Sequence, residues 1–254
     1  MTYSISGWFV TANDIKEWTA TNKRRAEEVL PLLVKRLVLA SCKPKSIDIP
    51  SGDAVAVSGW DGMLDVEEGD EFIPTGKSGW ELGTNSDVKK KADSDYDKRT
   101  RSPDPLTLKE STFVFVTSRL WIKRDSWVRN KKASGKWKDI RGINASSLEA
   151  WLTRCPAVHR WFASIIGKRT GHLWDLEQTW RSLSNLTELV LSPDLFQNSR
   201  EAEKERLNNE LTGKASILRI KAQSRLEAYG FILSSLQLKE EFAARVLIVK
   251  NQEA

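Results

Sequence analysis

The sequence predicts a mixed α/β domain followed by a mainly helical segment. Three observations lead to this prediction. Apolar residues repeat at helical spacing near the N-terminus, short apolar runs alternate with capped helices up to about residue 170, and the remainder is rich in charged helical patterns. We therefore expect one domain over residues 1–170, and a helical linker with the start of a further domain over residues 171–254.

The first element is a helix within residues 11–40. Thr11 or Asn13 can cap its start. Pro31 falls inside the pattern and is expected to kink the helix or to mark the first turn of its main segment. The helical spacing is carried by the apolar residues Val29, Leu33, Val34, Leu37 and Val38.

Three strands are predicted next, over residues 54–58, 60–67 and 79–84. The Gly-, Asp- and Pro-rich segment between the last two predicts a hairpin or a longer loop. A helix over residues 86–99 then begins at a Ser86–Asp87 cap, and STFVFVTSRLW at 111–121 is the strongest strand signal in the chain.

A polar segment leads to one more strand, WKDIRGINA, and to a capped helix with apolar Leu148, Trp151 and Leu152. The predicted order is helix, three strands, helix, strand, strand, helix. The segment GKRTGH at residues 167–172 is typical of a linker.

The C-terminal part predicts helices over residues 174–191 and 198–213, a strand SILRI at 216–220, a further helix, and a strand RVLIV. The chain stops directly after this apolar strand, so we expect it to be the front of a longer protein. The stretch ILRIKAQSRLEAYGFIL has no Gly-rich loop, and no nucleotide site is assigned to it.

Composition excludes several classes of protein. Forty basic against 34 acidic residues give a net charge of +6, which is compatible with a polyanionic partner. Two cysteines and two histidines make neither a disulfide framework nor a zinc cluster. The N-terminus lacks a basic region followed by an apolar run, and no stretch has the length of a membrane span. We therefore expect a cytoplasmic protein without membrane segments.

Two acids stand in similar Trp-flanked settings, Asp61 in SGWDGMLDV and Glu81 in SGWELGTN. If the segment between them forms a hairpin, both project from one end of the same sheet. Neighbouring carboxylates repel unless a cation lies between them, which is how a hard divalent ion is held. The alternatives are a turn acid for Asp61 and a solvent-facing edge position for Glu81.

The helix after Glu81 offers Lys89, Lys90 and Lys91, and a lysine beside two acids can stabilise charge on a reacting phosphate. We select Lys91, because it precedes Asp95 by four residues and Arg99 by eight and so shares a helix face with them. The alternative for each lysine is a solvated helix face.

Asp61 and Glu81 lie in the segments GWDG and SGWELGTN, which are followed by KADSDYDKRT, FVFVTSRLW and LEAWL. With these segments, the chain resembles the PD-(D/E)XK nucleases of the restriction-endonuclease-like fold. More narrowly, it resembles the N-terminal nuclease domains of bacterial antiviral STAND ATPases, over roughly residues 1–165. It departs from the family where Gly83 stands in place of the lysine of Glu-x-Lys. Some members carry that lysine on the following helix, which implies Lys91 here.

The resemblance implies an endonuclease that cleaves double-stranded DNA with Mg²⁺ or Mn²⁺. Asp61 and Glu81 would hold the metal, Glu27 would add a contact from the first helix, and Lys91 would assist. The residues expected to contact DNA phosphates are Lys89, Lys90, Arg119, Lys123 and Arg124.

In that family context the domain is an effector. It would be activated when a larger protein assembles into a homo-oligomer, a dimer or a tetramer, after detecting a phage protein. Two alternatives stay open: a DNA-binding or scaffolding module without cleavage, and a modification-dependent restriction endonuclease.

Overall fold

The computed structural model describes residues 7–50, 59–186, 188–213, 217–237 and 239–250. The chain folds as two compact units, with the boundary between Thr170 and Gly171. None of the described helices is both long enough and apolar enough to cross a membrane.

The first unit has a mixed α/β architecture, as the sequence predicts. Its elements are α1 (Ala12–Thr21), α2 (Lys23–Ser41), β1 (Ser46–Asp48), β2 (Gly62–Val66), β3 (Gly76–Gly83), α3 (Val88–Arg101), β4 (Thr112–Thr117), α4 (Arg124–Ala133), β5 (Asp139–Ile143), α5 (Ala145–Arg154) and α6 (Pro156–Ile165).

The five strands form one sheet in the order β1-β2-β3-β4-β5. The pairs β1–β2 and β2–β3 are antiparallel, whereas β3, β4 and β5 are parallel. Gly62 of β2 lies opposite Trp80 of β3, so Asp61, one residue before β2, comes beside Glu81. Gly83 lies opposite Thr117, so β3 and β4 end at the same edge of the sheet.

Helices cover both faces of this sheet. Side chains along each strand point alternately to one face and to the other, so the sheet can pack against helices on either side. On one face, Trp80 packs against Trp151 of α5, with ring centroids 6.5 Å apart. On the other face, Phe113 and Phe115 of β4 form a core with buried aromatic residues of α3 and α4, including Tyr96 and Trp127. Glu81 lies two residues from Gly79 and two from Gly83 along β3, so all three residues face this second layer of helices.

Helix α3 follows β3 after four residues. The Asp87 side chain caps it by accepting a hydrogen bond from the backbone N–H of Lys90, 3.0 Å away. Lys98, Arg99 and Arg101 fall in the last turn, where positive charge complements the helix dipole.

Several predicted elements differ from the structure. The expected single helix over residues 11–40 divides at Asn22, whose backbone is not helical and whose amide donates to the carbonyl of Trp18. Pro31 lies inside α2, where it cannot donate a hydrogen bond to the carbonyl of Glu27. The polar segment after β4 forms α4, with Trp127 buried. The predicted strand at 54–58 lies outside the described residues.

The second unit is mainly helical. Its elements are β6 (Leu173–Asp175), α7 (Leu176–Ser184), α8 (Asp194–Gln197), α9 (Glu201–Thr212), α10 (Arg225–Gln237), α11 (Glu240–Arg245) and β7 (Leu247–Val249), and β6 pairs antiparallel with β7.

The predicted strand at 216–220 is wrong over the part that the structure describes, residues 217–220. A strand needs a partner for its backbone groups, and no described strand pairs with these residues. Ile217 is 88% exposed, while Leu218 and Ile220 line a pocket with residues of α9 and α10.

Candidate functional site

A cleft of about 400 Å³ opens where β3 ends. It lies between α2, the segment that leads into β2, and the first turn of α3. The lining includes Glu27, Asp61, Gly83, Thr84, Asn85 and Lys91. The structure thus places two of the predicted acids, Glu27 and Asp61, at one opening with Lys91. Glu81, the third predicted acid, does not line this opening.

Asp61 is held against the neighbouring strand. Its Oδ2 accepts a hydrogen bond from the backbone N–H of Leu82 at 2.8 Å. This bond ties the residue before β2 to the end of β3, although the two are 21 positions apart. The carboxylate is half-buried and lines the cleft.

Glu81 is almost fully buried, with 3% of its surface exposed. Burial, followed by the negative charge of Asp61, raises the pKa of its carboxyl to about 7, although the hydrogen bond and charge of Arg99 lower it. Glu81 therefore resists ionisation.

Arg99 of α3 is the internal cation of the site. Its Nε donates to Glu81 Oε1, and its Nη2 donates to the backbone carbonyl of Gly59. The guanidinium also lies 4.7 Å from the centre of the Trp60 ring. One side chain therefore pairs with the buried acid and braces the segment that carries Asp61.

The sequence placed Arg99 on the helix face of Lys91 and Asp95 but did not predict its contact with Glu81. Two signals could have found it: its spacing of eight from Lys91, and the need of a buried glutamate for a cation.

Lys91 enters the cleft from α3. Its Nζ donates to Asp95 Oδ1 at 2.9 Å. Burial lowers the pKa of Lys91, but the hydrogen bond and charge of Asp95, followed by the charges of Asp61 and Glu81, raise it overall. Lys91 is therefore an ammonium at neutral pH, and it lies in the electrostatic field of both acids.

The stem of Lys91 passes over Gly83. A Cβ atom built on Gly83 would lie 3.2 Å from Lys91 Cγ and 3.7 Å from its Cε. The first distance is shorter than an ordinary van der Waals contact, and the second is an ordinary one. The lysine on the helix thus fills the space beside position 83.

The two other lysines at the start of α3 lie away from the cleft. Lys89 pairs with Asp93 at 2.6 Å, and 64% of its side chain is exposed. Lys90 is exposed as well. Only Lys91 of these three residues lines the opening.

Glu27 lies on α2, exposed at the rim of the cleft. Its Oε1 accepts a hydrogen bond from Thr84 Oγ1 at 3.3 Å. The carbonyl of Thr84 in turn accepts from Arg119 Nε at 2.9 Å. Glu27 and Arg119 are thereby linked through the residue that follows β3.

The remaining basic candidates differ in what they contact. Lys123 is exposed just before α4. Arg124 is committed to protein partners, since its Nε donates to Asp125 and its Nη1 donates to Ser147 of α5. Among these two, Lys123 is the one with a side chain available to a phosphate.

The donor set fits a hard cation only in part. Over the described ranges, no group of three or more His, Cys, Asp or Glu residues is arranged to hold a metal ion. Asp61 and Glu81 supply two carboxylates, and one oxygen of Glu81 is engaged by Arg99. Such a site suits an ion that keeps most of its ligands as water or phosphate oxygens, as Mg²⁺ does.

No protein-family model, curated protein or solved structure matches this chain. Its function is therefore inferred from the residues of the cleft and their geometry.

Proposed function

We propose that residues 1–170 form a restriction-endonuclease-like nuclease domain that hydrolyses phosphodiester bonds of double-stranded DNA. The observation that carries the proposal is the meeting of Lys91 and Asp61 at one cleft, with Glu81 buried behind it and interacting with both through its charge. Two acids and an ammonium from three separate parts of the chain form a set that can hold a divalent ion and stabilise charge on a phosphate. The sequence resemblance to PD-(D/E)XK nucleases supports the same assignment.

Each residue has a defined part in this proposal. Asp61 and Glu81 are the carboxylates that would hold Mg²⁺ or Mn²⁺, and Glu27 stands at the rim as a further acid. A bound divalent ion supplies a lowered pKa for the attacking water and neutralises phosphate charge. Lys91 keeps its proton and presents positive charge to the phosphate oxygens as negative charge builds up in the transition state.

Arg99 has a different part. Arg99 forms an ion pair with Glu81, and this pair lowers the free-energy cost of burying the carboxylate without a metal. A cation bound by Glu81 therefore competes with Arg99 for that carboxylate, or uses its second oxygen.

The exposed cations near the cleft are proposed to bind the DNA backbone. Lys89 and Lys90 lie at the start of α3, and Lys123 follows β4. Because β3 and β4 are parallel and end at one edge, these residues lie in the segments that follow the same edge of the sheet, outside the lining of the cleft. Arg119 contacts Thr84 at that edge, whereas Arg124 is engaged with α5 and contributes less.

The biological setting follows from the resemblance alone. We propose a cytoplasmic effector in antiphage defence, activated when a larger protein detects a phage protein and forms a homo-oligomer. Bringing two sites together is what cutting both strands of a duplex requires.

The test is cleavage of plasmid DNA by the activated protein in Mg²⁺. Asp61→Asn and Glu81→Gln should each slow cleavage at least about a hundredfold, since loss of even an outer-shell group at a metal site costs 10- to 100-fold. Asp65→Asn is the matched control, because Asp65 lies on β2, four residues after Asp61, and does not line the cleft. Cleavage that survives both site variants, or that survives removal of divalent ions, overturns the proposal.

A second candidate function is DNA binding without cleavage. The engagement of Glu81 by Arg99 and the two-carboxylate donor set favour it. Salt-dependent DNA binding that is indifferent to divalent ions, with no new DNA ends, would identify such a module. A requirement for methylated plasmid would instead identify a modification-dependent restriction endonuclease.

A further inference from the structure

Asp95 is a buried acid, and the packing of the fold does not explain why an acid is placed there. It is 5% exposed on α3, and its Oδ1 accepts the hydrogen bond from Lys91 Nζ. Its Oδ2 is buried and has no hydrogen-bond partner within the described part of the chain. An unsatisfied buried carboxylate oxygen costs free energy, so this side chain lowers stability relative to an apolar residue of its size.

The same helix contains a matched comparison. Lys89 and Asp93 form an ion pair with the same spacing of four residues. Asp93 is explained by the fold, because it also accepts from Trp127 Nε1 at 2.8 Å and pairs with Lys131 at 3.0 Å, which joins α3 to α4. Asp95 makes no comparable link between elements, and its hydrogen bond goes to Lys91.

That single contact determines where the Lys91 ammonium lies. A lysine side chain has several rotatable bonds, and fixing it costs conformational entropy. With Nζ held by Asp95, the stem lies across Gly83, and the positive charge interacts with Asp61 and Glu81. Gly83 provides the space for this path, and Asp95 provides its end point.

Resting on the function proposed above, we propose that Asp95 is a positioning residue that fixes the Lys91 ammonium at the cleft. Gly83 and Asp95 together then allow Lys91 to take the place of the lysine missing from Glu-x-Lys. Asp95 itself touches neither the DNA nor the metal, and it acts through Lys91 alone.

The first experiment measures cleavage kinetics of the activated protein on plasmid DNA in Mg²⁺. Asp95→Asn should lower kcat about 10- to 100-fold with KM unchanged, the range seen when a group that orients a functional ligand is removed. Asp95→Glu should recover part of the loss, because it restores the charge. Asp93→Asn is the control and should leave kcat near the wild-type value in protein shown to be folded by circular dichroism.

Combining the variants separates positioning from any other role. In a Lys91→Ala background, Asp95→Asn should cause no further loss, because the residue through which it acts is gone. A further loss there, or an unchanged kcat in Asp95→Asn alone, overturns the proposal. Asp95→Ser is the second variant should Asp95→Asn fail to fold.

The second experiment does not depend on cleavage. Side-chain ammonium signals of lysine are observable by ¹⁵N NMR when the ammonium is held by a partner and exchanges slowly. The Lys91 signal, assigned by its disappearance in Lys91→Arg, should be present in the wild type and in Asp93→Asn and be lost in Asp95→Asn. A signal that persists in Asp95→Asn overturns positioning. A signal that behaves as expected in a protein that cuts no DNA overturns the nuclease and leaves the Lys91–Asp95 contact standing.

Discussion

The side chain of Lys91 occupies the space beside Gly83, the position at which a Glu-x-Lys motif carries its lysine. The two residues belong to different elements, yet Lys91 Cγ lies 3.2 Å from where a Cβ at position 83 would stand. A glycine on the strand and a lysine on the helix are thus complementary in shape, since a side chain at 83 would press against the lysine stem and against Phe115 Cζ, which lies 3.3 Å from the same Cβ position.

Exchanging the two residues tests this relationship. Lys91→Ala should reduce cleavage about a hundredfold or more, because the lost charge acts mainly in the transition state. Adding Gly83→Lys to that variant should recover part of the loss, since the vacated space can hold a stem that starts from the strand. Plasmid cleavage rates of the two variants check the exchange, and equal rates would contradict it.

The three lysines at the start of α3 should behave differently when each is changed to alanine. Lys89→Ala and Lys90→Ala should weaken DNA binding slightly and reduce its dependence on salt, because each removes one exposed phosphate contact. Lys91→Ala should leave binding largely intact while cleavage falls. Titration of a labelled duplex at two salt concentrations, alongside plasmid cleavage, measures both effects. A loss of cleavage in Lys89→Ala equal to that in Lys91→Ala would contradict the selection of Lys91.

Removing Arg99 should destabilise the first unit strongly. Arg99→Met leaves the Glu81 carboxylate buried without its cation, and breaking a buried pair on one side costs about 3–5 kcal/mol. The double variant Arg99→Met with Glu81→Met should be less destabilised than Arg99→Met alone. Urea denaturation gives the free energies of unfolding. Arg101→Met, at the exposed end of α3, is the control and should change stability by less than about 0.5 kcal/mol.

Glu81 should make stability depend on pH. Its pKa is about 7 in the folded chain, against an ordinary value of 4.5. The folded state binds the proton more tightly, so stability falls as pH rises from about 4.5 to 7 and is level above. The interval corresponds to a loss of about 3 kcal/mol. The wild-type free energy of unfolding minus that of Glu81→Gln, measured from pH 4 to 8.5, should show this decline, and a flat difference would contradict it.

His159 should make the free energy of unfolding depend on pH in the acid range. It is 2% exposed, its Nε2 accepts a hydrogen bond from the backbone N–H of Val10 at 2.8 Å, and burial lowers its pKa to about 4. The neutral ring is the folded form, so stability is complete above pH 6.5 and is lost as pH falls through 4. Thermal melts of the wild type and of His159→Gln should converge with falling pH. His172→Gln, at an exposed position, should leave the profile unchanged.

The sequence by itself determined the features that depend on neighbouring residues. The cap before α3, the apolar periodicity of α2 and α5, and the apolar run of β4 are local signals, because each element satisfies most of its own backbone hydrogen bonds or presents one repeating face. The common face of Lys91, Asp95 and Arg99 is of the same kind, since residues four and eight apart on a helix lie above one another.

Only the tertiary structure decided the features that depend on distant partners. Residues 217–220 form no strand because no described strand pairs with them. The contact of Arg99 with Glu81 and Gly59 spans 18 and 40 positions, and it exists only because α3 packs on the face of the sheet to which Glu81 points. Residue spacing predicts which side chains share a face, whereas the packing of one face on another determines which charges meet.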